Sequence, residues 1–333
     1  MKKFLFILPV LALLSACGKM PEAEKNIFCM DTVMNIKAYG ERCEEAVNAS
    51  EAELVRLEKL FDRGSEESDI YAVNHGGTAF FEDTKNIMET ALGISRETDG
   101  AFDITISPIM DIWGFYGGNY NVPEEDAIKN ALRSVDYRNV FFENGAVKLL
   151  NNAKIDLGGI GKGYASDKVC GILKEYGISS AMINLGGNVY AYGEKPGGGK
   201  WRVGVADPYN SGEPIVTLDV SHAAVVTSGS YQRYFERDGK AYHHIINPKT
   251  GKPADNGIKS VTVVCKSGAR ADALSTALFV MGREKAEEFL ENHTDIGGVI
   301  ITEDRKVYYT ESLSDCILVN GGAAKEEIAV SKY

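Results

Sequence analysis

The sequence predicts an α+β fold in which mixed or antiparallel sheets pack against helices. Short strand-like runs are mixed with longer helical runs, without the strict alternation of parallel βαβ units. The longest helical run, residues 44 to 61, places Leu54, Leu57 and Phe61 on one face. A hydrophobic content of 44% and a charged content of 25% are ordinary for a globular chain.

The N-terminal residues have the pattern of a targeting segment. Lys2 and Lys3 precede an apolar run, residues 4 to 14, which is too short to cross a membrane as a stable helix. The following Leu14-Ser15-Ala16-Cys17 resembles a bacterial lipobox, which predicts cleavage before Cys17 and a lipid on that residue. The alternative is an ordinary secretory signal that is cut near Ala16.

We therefore expect a lipoprotein signal peptide at residues 1–17, a tether at residues 18–27 and one folded domain at residues 28–333. The lipid would anchor the protein to a bacterial cell membrane, facing away from the cytoplasm. In a Gram-negative cell, this is the periplasmic side. No other segment of the sequence is long and apolar enough to span a membrane.

Periodicity predicts the elements of the folded domain in order. Residues 28–39 alternate as a strand does, and helices are expected at residues 44–61, 84–98 and 123–132. Short strands separated by Asn-containing turns are expected at residues 140–142, 146–150 and 154–155. The later strands are expected at residues 181–184, 201–205, 215–220, 223–226 and 258–265, followed by helices at 269–281 and 283–291 and a hairpin at 298–310.

A glycine-rich stretch, residues 155–163, separates a short strand from the next predicted helix, which extends to about Tyr176. Four glycines within six residues let the backbone pass close to a ligand. Asp156 enters this turn, and Lys162 lies at the helix start, where an anion is favoured. The stretch suits a phosphate or pyrophosphate, although it matches neither the P-loop nor the dinucleotide fingerprint. The alternative is a tight turn that binds nothing.

Two pairs of side chains can be judged by their spacing. His243 and His244 are neighbours in a predicted strand, so they point to opposite faces and do not form a paired metal site. Asp272 and Thr276 are four residues apart on a predicted helix and share one face, where both can reach one hard cation. The alternative is an aspartate that only complements the helix dipole.

Charge and cysteine content restrict the possible partners. A net charge of −11 without a basic stripe argues against a nucleic-acid partner. An acidic protein that binds an anionic nucleotide needs a local positive charge, and a divalent cation can supply it. The five cysteines after Cys17 show no CxxC pair and no zinc spacing, and the sequence does not settle whether any of them form a disulfide.

Six separate stretches carry further motifs. They are Met30-Asp31-Thr32, Gly100-Ala101-Phe102-Asp103-Ile104-Thr105, residues 156–163, Ser228-Gly229, His244-Ile245-Ile246-Asn247-Pro248 with Gly251, and residues 271–277. In this order they resemble the bacterial FAD:protein FMN transferases, also called the ApbE lipoprotein family. The resemblance covers about residues 28–320. Asp31 is one departure, because family members usually have Gly at that position.

The resemblance implies a T-fold-like architecture and an enzyme that binds FAD with Mg²⁺. Such an enzyme transfers FMN through a phosphoester bond to a Thr or Ser hydroxyl of an exported acceptor protein and releases AMP. By motif position, Asp272 and Thr276 are implied to bind Mg²⁺ through their side chains, and Gly159 through its backbone carbonyl. The implied FAD contacts are Met30, Ala101, Phe102, Asp103, Asp156, Lys162 and Ile246.

In this interpretation, Mg²⁺ and Lys162 neutralise the diphosphate while the acceptor hydroxyl attacks phosphorus. His244 and Asp156 are candidates to accept the hydroxyl proton, and the neutral imidazole favours His244. Two alternatives use the same residues. With water as the nucleophile the protein would be an FAD pyrophosphatase that yields FMN and AMP, and without chemistry it would be a lipoprotein that carries flavin.

Overall fold

The computed structural model describes residues 20–320 and 324–328. The predicted signal peptide, with Cys17, and the first residues of the predicted tether lie outside the described residues. Among the described residues, no helix is both long and apolar enough to cross a membrane.

Helices and strands follow one another along the chain without a regular alternation. The helices are α1 (Cys43–Phe61), α2 (Asp69–Asn74), α3 (Glu82–Glu97), α4 (Ser107–Trp113), α5 (Glu125–Leu132), α6 (Gly161–Glu175), α7 (Gly268–Met281) and α8 (Arg283–Glu291). The strands are β1 (Glu22–Cys29), β2 (Thr32–Tyr39), β3 (Val140–Glu143), β4 (Ala146–Leu149), β5 (Ser180–Leu185), β6 (Asn188–Gly193), β7 (Trp201–Asp207), β8 (Asn210–Val220), β9 (Ala223–Gly229), β10 (Tyr234–Arg237), β11 (Lys240–His243), β12 (Ile246–Asn247), β13 (Lys252–Pro253), β14 (Ile258–Cys265), β15 (Gly297–Thr302), β16 (Lys306–Thr310), β17 (Ile317–Val319) and β18 (Ala324–Ile328).

A large sheet organises the described part of the chain, with the strand order β1-β2-β5-β6-β9-β14-β15-β16-β18. Its neighbouring strands are antiparallel except for the parallel pair β16 and β18. A smaller sheet has the order β17-β8-β7, and short hairpins pair β3 with β4, β10 with β11 and β12 with β13. The predicted α+β class is confirmed.

The two faces of the large sheet are covered by different layers. Neighbouring residues of β14 divide between them, because Val263 joins the apolar core on the helical side and Val264 joins the core on the other side. Helices α1, α6 and α7 supply Leu54, Leu173 and Leu278 to the first core. Strands β7 and β8 form much of the second core.

The predicted tether is wrong over most of its length. Residues Glu22–Cys29 form β1, which pairs with β2 from Glu22 opposite Tyr39 to Cys29 opposite Thr32. Near its end, Ile27 and Cys29 are buried. The polar residues of this segment alternate with less exposed ones, as an edge strand requires, and a polar composition alone does not reveal that alternation.

The strand that we predicted for residues 28–39 is β2 over Thr32–Tyr39, while the start of the predicted range contains the end of β1 and a two-residue turn. Met30 and Asp31 have φ angles of 51° and 58°, which are left-handed values. Two left-handed residues close a two-residue hairpin with the correct twist. Asp tolerates this conformation better than most residues, which explains how Asp31 can replace Gly at this position.

Candidate active site

The site is built where the start of α6 contacts the start of α7. A Cβ atom at Gly163 would lie 2.2 Å from the carbonyl oxygen of Gly268, so the two backbones are in direct contact. The carboxylate of Asp167 on α6 accepts hydrogen bonds from the N–H groups of Gly268 and Ala269, at 2.6 and 3.0 Å. It thereby caps α7, because first-turn amides have no partner within their own helix.

The capping is reciprocal, since Asp272 of α7 accepts a 2.9 Å hydrogen bond from the N–H of Gly163 in the first turn of α6. Two carboxylates therefore tie together the starts of two helices that are about a hundred residues apart in sequence. Asp272 is only 6% exposed, and the N–H of Gly163 holds one of its two carboxylate oxygens, Oδ2.

The three positions predicted to bind Mg²⁺ lie close together. Asp272 and Thr276 are one turn apart on α7, and the Thr276 hydroxyl lies 3.2 Å from the hydroxyl of Ser228 at the end of β9. A Cβ atom at Gly159 would lie 3.8 Å from Oγ1 of Thr276 and 3.0 Å from the ring of Phe102. The chain thus passes close to Thr276 at Gly159, where a larger side chain would crowd Phe102.

The charge of Asp272 is not balanced by an ion pair. No cationic group of the described residues lies within the 4.0 Å of an ion pair from this carboxylate. Burial raises the pKa of Asp272, while the charge of Lys162, the N–H of Gly163 and the amide of Asn188 lower it in part. A buried carboxylate needs a partner charge, and a cation beside it would supply one.

The donor chemistry fits a hard dication. No group of three or more His, Cys, Asp or Glu side chains in the described residues is placed to bind a metal. The available donors are instead one carboxylate, one hydroxyl and one backbone carbonyl, from Asp272, Thr276 and Gly159. Mg²⁺ favours such oxygen donors and commonly binds one or two carboxylates together with substrate phosphates.

Lys162 supplies a positive charge that acts on Asp272. It is half-buried at the second residue of α6, and its charge lowers the pKa values of both Asp272 and His244. No carboxylate of the described residues forms an ion pair with it. An ammonium without a partner at a helix N-terminus is suited to a phosphate.

Asp156 is held in the turn that precedes α6. Its side chain accepts a 2.8 Å hydrogen bond from the N–H of Gly158, and its Oδ2 lies 2.9 Å from Nε of Arg63. Its own N–H donates to the carbonyl of Ile104, which joins this turn to the segment that contains Phe102 and Asp103.

Asp103 has a structural position within that segment. Its carboxylate accepts hydrogen bonds from the N–H and the hydroxyl of Thr105, at 2.7 and 2.6 Å, and from the N–H of Tyr137, at 2.8 Å. Burial raises the pKa of Asp103, and these donors lower it in part. Three local donors hold the loop in shape beside the buried Ala101 and Phe102.

The two neighbouring histidines have different partners, and only His243 belongs to a strand, because β11 ends there. His243 is satisfied on both ring nitrogens, since Nε2 lies 3.0 Å from the carbonyl of Ala254 and Nδ1 accepts from the N–H of Ile245. His244 instead places Nδ1 at 3.0 Å from the carbonyl of Arg233. A carbonyl can only accept, so neutral His244 carries its proton on Nδ1 and leaves the Nε2 lone pair available.

The surroundings of His244 keep its imidazole neutral. Burial lowers the pKa of His244 to about 4, and the positive charges of Arg233 and Lys162 act in the same direction, while the carbonyl of Arg233 opposes them. The ring makes an edge contact with Phe115, whose centroid lies 6.4 Å away. His244 is therefore a neutral hydrogen-bond acceptor near pH 7.

Two further predicted FAD contacts, Ile246 and Met30, lie on other elements of the fold. Ile246 is 5% exposed and packs in an apolar cluster with Trp113 and Phe115. Met30 lies in the turn between β1 and β2, where its N–H donates to the carboxylate of Glu58 on α1. The structure ties Met30 to α1 and shows no direct contact between it and Lys162 or Asp272.

The protein-family model of the ApbE family matches residues 30–300, which is most of the chain. This chain belongs to the ApbE family.

Relatives and solved structures agree with this assignment. The FAD:protein FMN transferase of Treponema pallidum is 31% identical, over 93% of each chain, and that of Vibrio cholerae is 30% identical, over 94% of this chain and 98% of the relative. The crystal structure of the ApbE protein of Thermotoga maritima has a TM-score of 0.81 at 33% identity and covers 86% of this chain and 96% of its own. The Pseudomonas stutzeri flavinyl transferase ApbE, in its apo form, has a TM-score of 0.80 at 28% identity, over 91% of this chain and 98% of its own.

Arg63 is a residue of this ApbE site that the sequence motifs do not indicate. Besides Asp156, its guanidinium donates to the hydroxyl of Ser107 and the carboxylate of Asp111, at 2.8 and 2.7 Å, and lies over the ring of Tyr116 at 4.0 Å. These partners are 44 to 93 positions away in the sequence, so no local pattern could have indicated them.

Proposed function

We propose that this protein transfers FMN from FAD to a hydroxyl group of an acceptor protein and releases AMP. The observation that carries the proposal is the pair of unbalanced charges at the site. The charge of Lys162 lowers the pKa of Asp272 in part, yet the two side chains form no ion pair. A diphosphate accompanied by a dication would neutralise both charges. The relatives named FAD:protein FMN transferase support the same reaction.

Each part of the transfer reaction is assigned to a particular group. The acceptor oxygen attacks the phosphorus on the FMN side, the bond between that phosphorus and the bridging oxygen breaks, and AMP departs with the bridging oxygen. Nε2 of His244 accepts the proton of the acceptor hydroxyl. Lys162 and the N-terminus of α6 stabilise the negative charge that grows on the departing phosphate.

We further propose that Asp272, Thr276 and the carbonyl of Gly159 hold Mg²⁺. When bound there, Mg²⁺ would act as a Lewis acid on the diphosphate oxygens. Met30, Ala101, Phe102, Asp103, Asp156 and Ile246 are proposed to contact FAD. The three hydrogen bonds that hold Asp103 let it support the loop that carries Ala101 and Phe102. Arg63 keeps Asp156 directed into the turn.

The test mixes the protein with FAD, Mg²⁺ and a purified exported flavoprotein that carries no flavin. We expect flavin fluorescence on the acceptor that persists after denaturation, with one AMP released for each flavin attached. The Asp272→Ala variant is expected to lose the Mg²⁺-dependent turnover. AMP release at the full rate without acceptor would instead indicate an FAD pyrophosphatase, and unchanged turnover in the variant would contradict the metal assignment.

We also propose that the acceptor residue is Thr or Ser and that a lipid on Cys17 anchors the protein to a membrane, outside the cytoplasm. The lipobox pattern supports the anchor, and the family resemblance supports the acceptor residue. Peptide mass spectrometry of the labelled acceptor identifies the modified side chain. The Cys17→Ser variant is expected to leave the membrane fraction, and equal membrane association of both proteins would exclude the lipid anchor.

A further inference from the structure

Asn188 is a buried polar residue that neither the sequence motifs nor the proposed reaction uses. It is 2% exposed, and neither Nδ2 nor Oδ1 of its amide has a hydrogen-bond partner among the described residues. A buried amide with both polar atoms unsatisfied is rare, because native structures pair nearly all such groups. An unpaired group of this kind usually has a ligand, a water or an ion as its partner.

The register of the large sheet places Asn188 under α7. Asn188 is the first residue of β6 and lies opposite Val226 of β9. Ser228 is two residues further along β9, so its side chain is on the same face of the sheet as that of Val226. Val226 and Tyr190, the next residue of β6 on the same face as Asn188, both belong to the apolar core on the helical side.

Two polar side chains of the sheet, Asn188 and Ser228, therefore face α7, where the hydroxyl of Ser228 also lies 2.8 Å from the hydroxyl of Ser275. Ser228 lies under Thr276, with 3.2 Å between their hydroxyl oxygens. Asn188 lies near Asp272 but forms no hydrogen bond with it. Since the N–H of Gly163 bonds to Oδ2 of Asp272, the second donor that would fix the plane of the carboxylate is missing unless Asn188 supplies it.

We propose that Asn188 is a positioning residue of the dication site, whose amide NH₂ orients the carboxylate of Asp272. The inference rests on the dication site of the proposed function and adds a residue that acts on the metal through Asp272. Hydrogen bonds to a ligating carboxylate fix its direction, and removing such a partner typically weakens metal affinity about 10–100-fold.

The chain offers a matched control in the same hairpin. Asn184 belongs to β5 and lies opposite Val189, so its side chain is on the face of the sheet away from α7. It is exposed and accepts a 2.9 Å hydrogen bond from the N–H of Gly187, a bond that a serine hydroxyl can also accept. Asn184→Ser therefore makes the same chemical change as Asn188→Ser without reaching the site.

The experiment titrates Mn²⁺ into the metal-free full-length protein and measures the remaining free ion by its EPR signal, with Mg²⁺ competition to identify the site. We expect the dissociation constant to rise about 10–100-fold in Asn188→Ser and Asn188→Leu and to stay unchanged in Asn184→Ser. The melting temperature of the metal-free protein should not fall in Asn188→Leu, because that change removes an unsatisfied amide.

The outcomes separate this inference from the proposed function. If the unaltered protein binds Mn²⁺ and the two Asn188 variants bind it equally well, the positioning role is wrong while the dication site stands. If the unaltered protein binds no Mn²⁺, both are wrong. A lower melting temperature in both Asn188 variants with unchanged Mn²⁺ affinity would show a purely structural residue and would also overturn the inference.

Discussion

Lys162 is the residue whose removal should affect the reaction most directly. It lies at the start of α6 without an ion-pair partner among the described residues, so its charge is available to a phosphate. We expect Lys162→Met to lower kcat about 10²–10³-fold, as the loss of a group that stabilises transition-state charge does. Steady-state AMP release with FAD and acceptor measures the effect.

The same charge change at Lys174 provides the control. Lys174 lies in the last turn of α6 and is exposed, far from the first turn. Lys174→Met should retain the full rate. An equal loss of rate in both variants would mean that net charge, and not the position of Lys162, matters for turnover.

His244 leads to a prediction about pH. Its pKa is lowered to about 4 by burial and by neighbouring positive charges, so the imidazole is neutral over the whole range above pH 5. We expect kcat/KM to stay level down to about pH 5, whereas an ordinary histidine would already be about nine-tenths protonated at pH 5.5. His244→Gln should reduce the rate about 10²–10⁴-fold at neutral pH. An acid limb centred near pH 6.5 would contradict the lowered pKa of His244, and an unchanged rate in His244→Gln would show that it is not the base.

At the scale of elements, the contact between α6 and α7 determines whether the site exists. A Cβ atom at Gly163 would lie 2.2 Å from the backbone carbonyl of Gly268, and one at Gly268 would lie 2.5 Å from the carbonyl of Gly163. A backbone carbonyl cannot rotate away from an added Cβ atom as a flexible side chain can. Gly163→Ala and Gly268→Ala should each lower the free energy of unfolding by about 1–3 kcal/mol, or more where the helices must separate.

Gly171 of the same helix is the matched control. A Cβ atom there would meet no atom within 4 Å, and the residue is exposed. Gly171→Ala should therefore stabilise α6 by about 0.5–1 kcal/mol. Urea unfolding of the three variants measures the differences, and a stabilising Gly163→Ala would contradict the direct backbone contact.

The elements that carry a strong local period can be predicted from the sequence. The helix expected at residues 44–61 is α1 over Cys43–Phe61, and the one expected at residues 283–291 is α8. The turn at Met30 escapes prediction because Met is not a turn residue and takes φ 51° only where the two strands pair. The short helices α2 and α4 escape it because six or seven residues carry too little periodicity.

The candidate site also contains residues that the sequence pattern reveals and residues that it does not. Asp272 and Thr276 can be paired from the sequence because a helix places residues four apart on one face. Arg63 and Asn188 cannot be found in this way, because their partners come from other elements. Arg63 contacts Asp156 and Asp111 across three segments, and Asn188 faces α7 only through the register of β6 and β9.

For the whole molecule, Asp83 joins three helices on one side of the large sheet. Its carboxylate on α3 bonds to Lys168 and Tyr164 of α6, at 2.8 Å each, and to Arg56 of α1. Burial raises the pKa of Asp83, but the hydrogen bonds from Lys168, Arg56 and Tyr164 outweigh it and lower the pKa to about 2.

This network should contribute to acid stability. Because the folded pKa lies below the ordinary value of 3.8, the stabilisation is fully present above pH 3.8 and is lost as the pH falls toward 2. We expect a contribution of about 1–2 kcal/mol at pH 7 after allowing for solvent screening. Asp83→Asn should lose it, so urea unfolding at pH 7 and pH 3 should differ less in the variant than in the unaltered protein. An equal pH dependence in both would contradict the network's role.

The early start of β1 limits how far the protein can work from its proposed anchor. Since the sheet already begins at Glu22, a lipid on Cys17 would leave five Cα–Cα steps between bilayer and sheet, a reach of at most about 18 Å. A connection this short would keep the folded domain beside the lipid headgroups. Acceptors would then be selected by the distance of their hydroxyl from the bilayer as well as by sequence, because only hydroxyls presented close to the bilayer could enter the site.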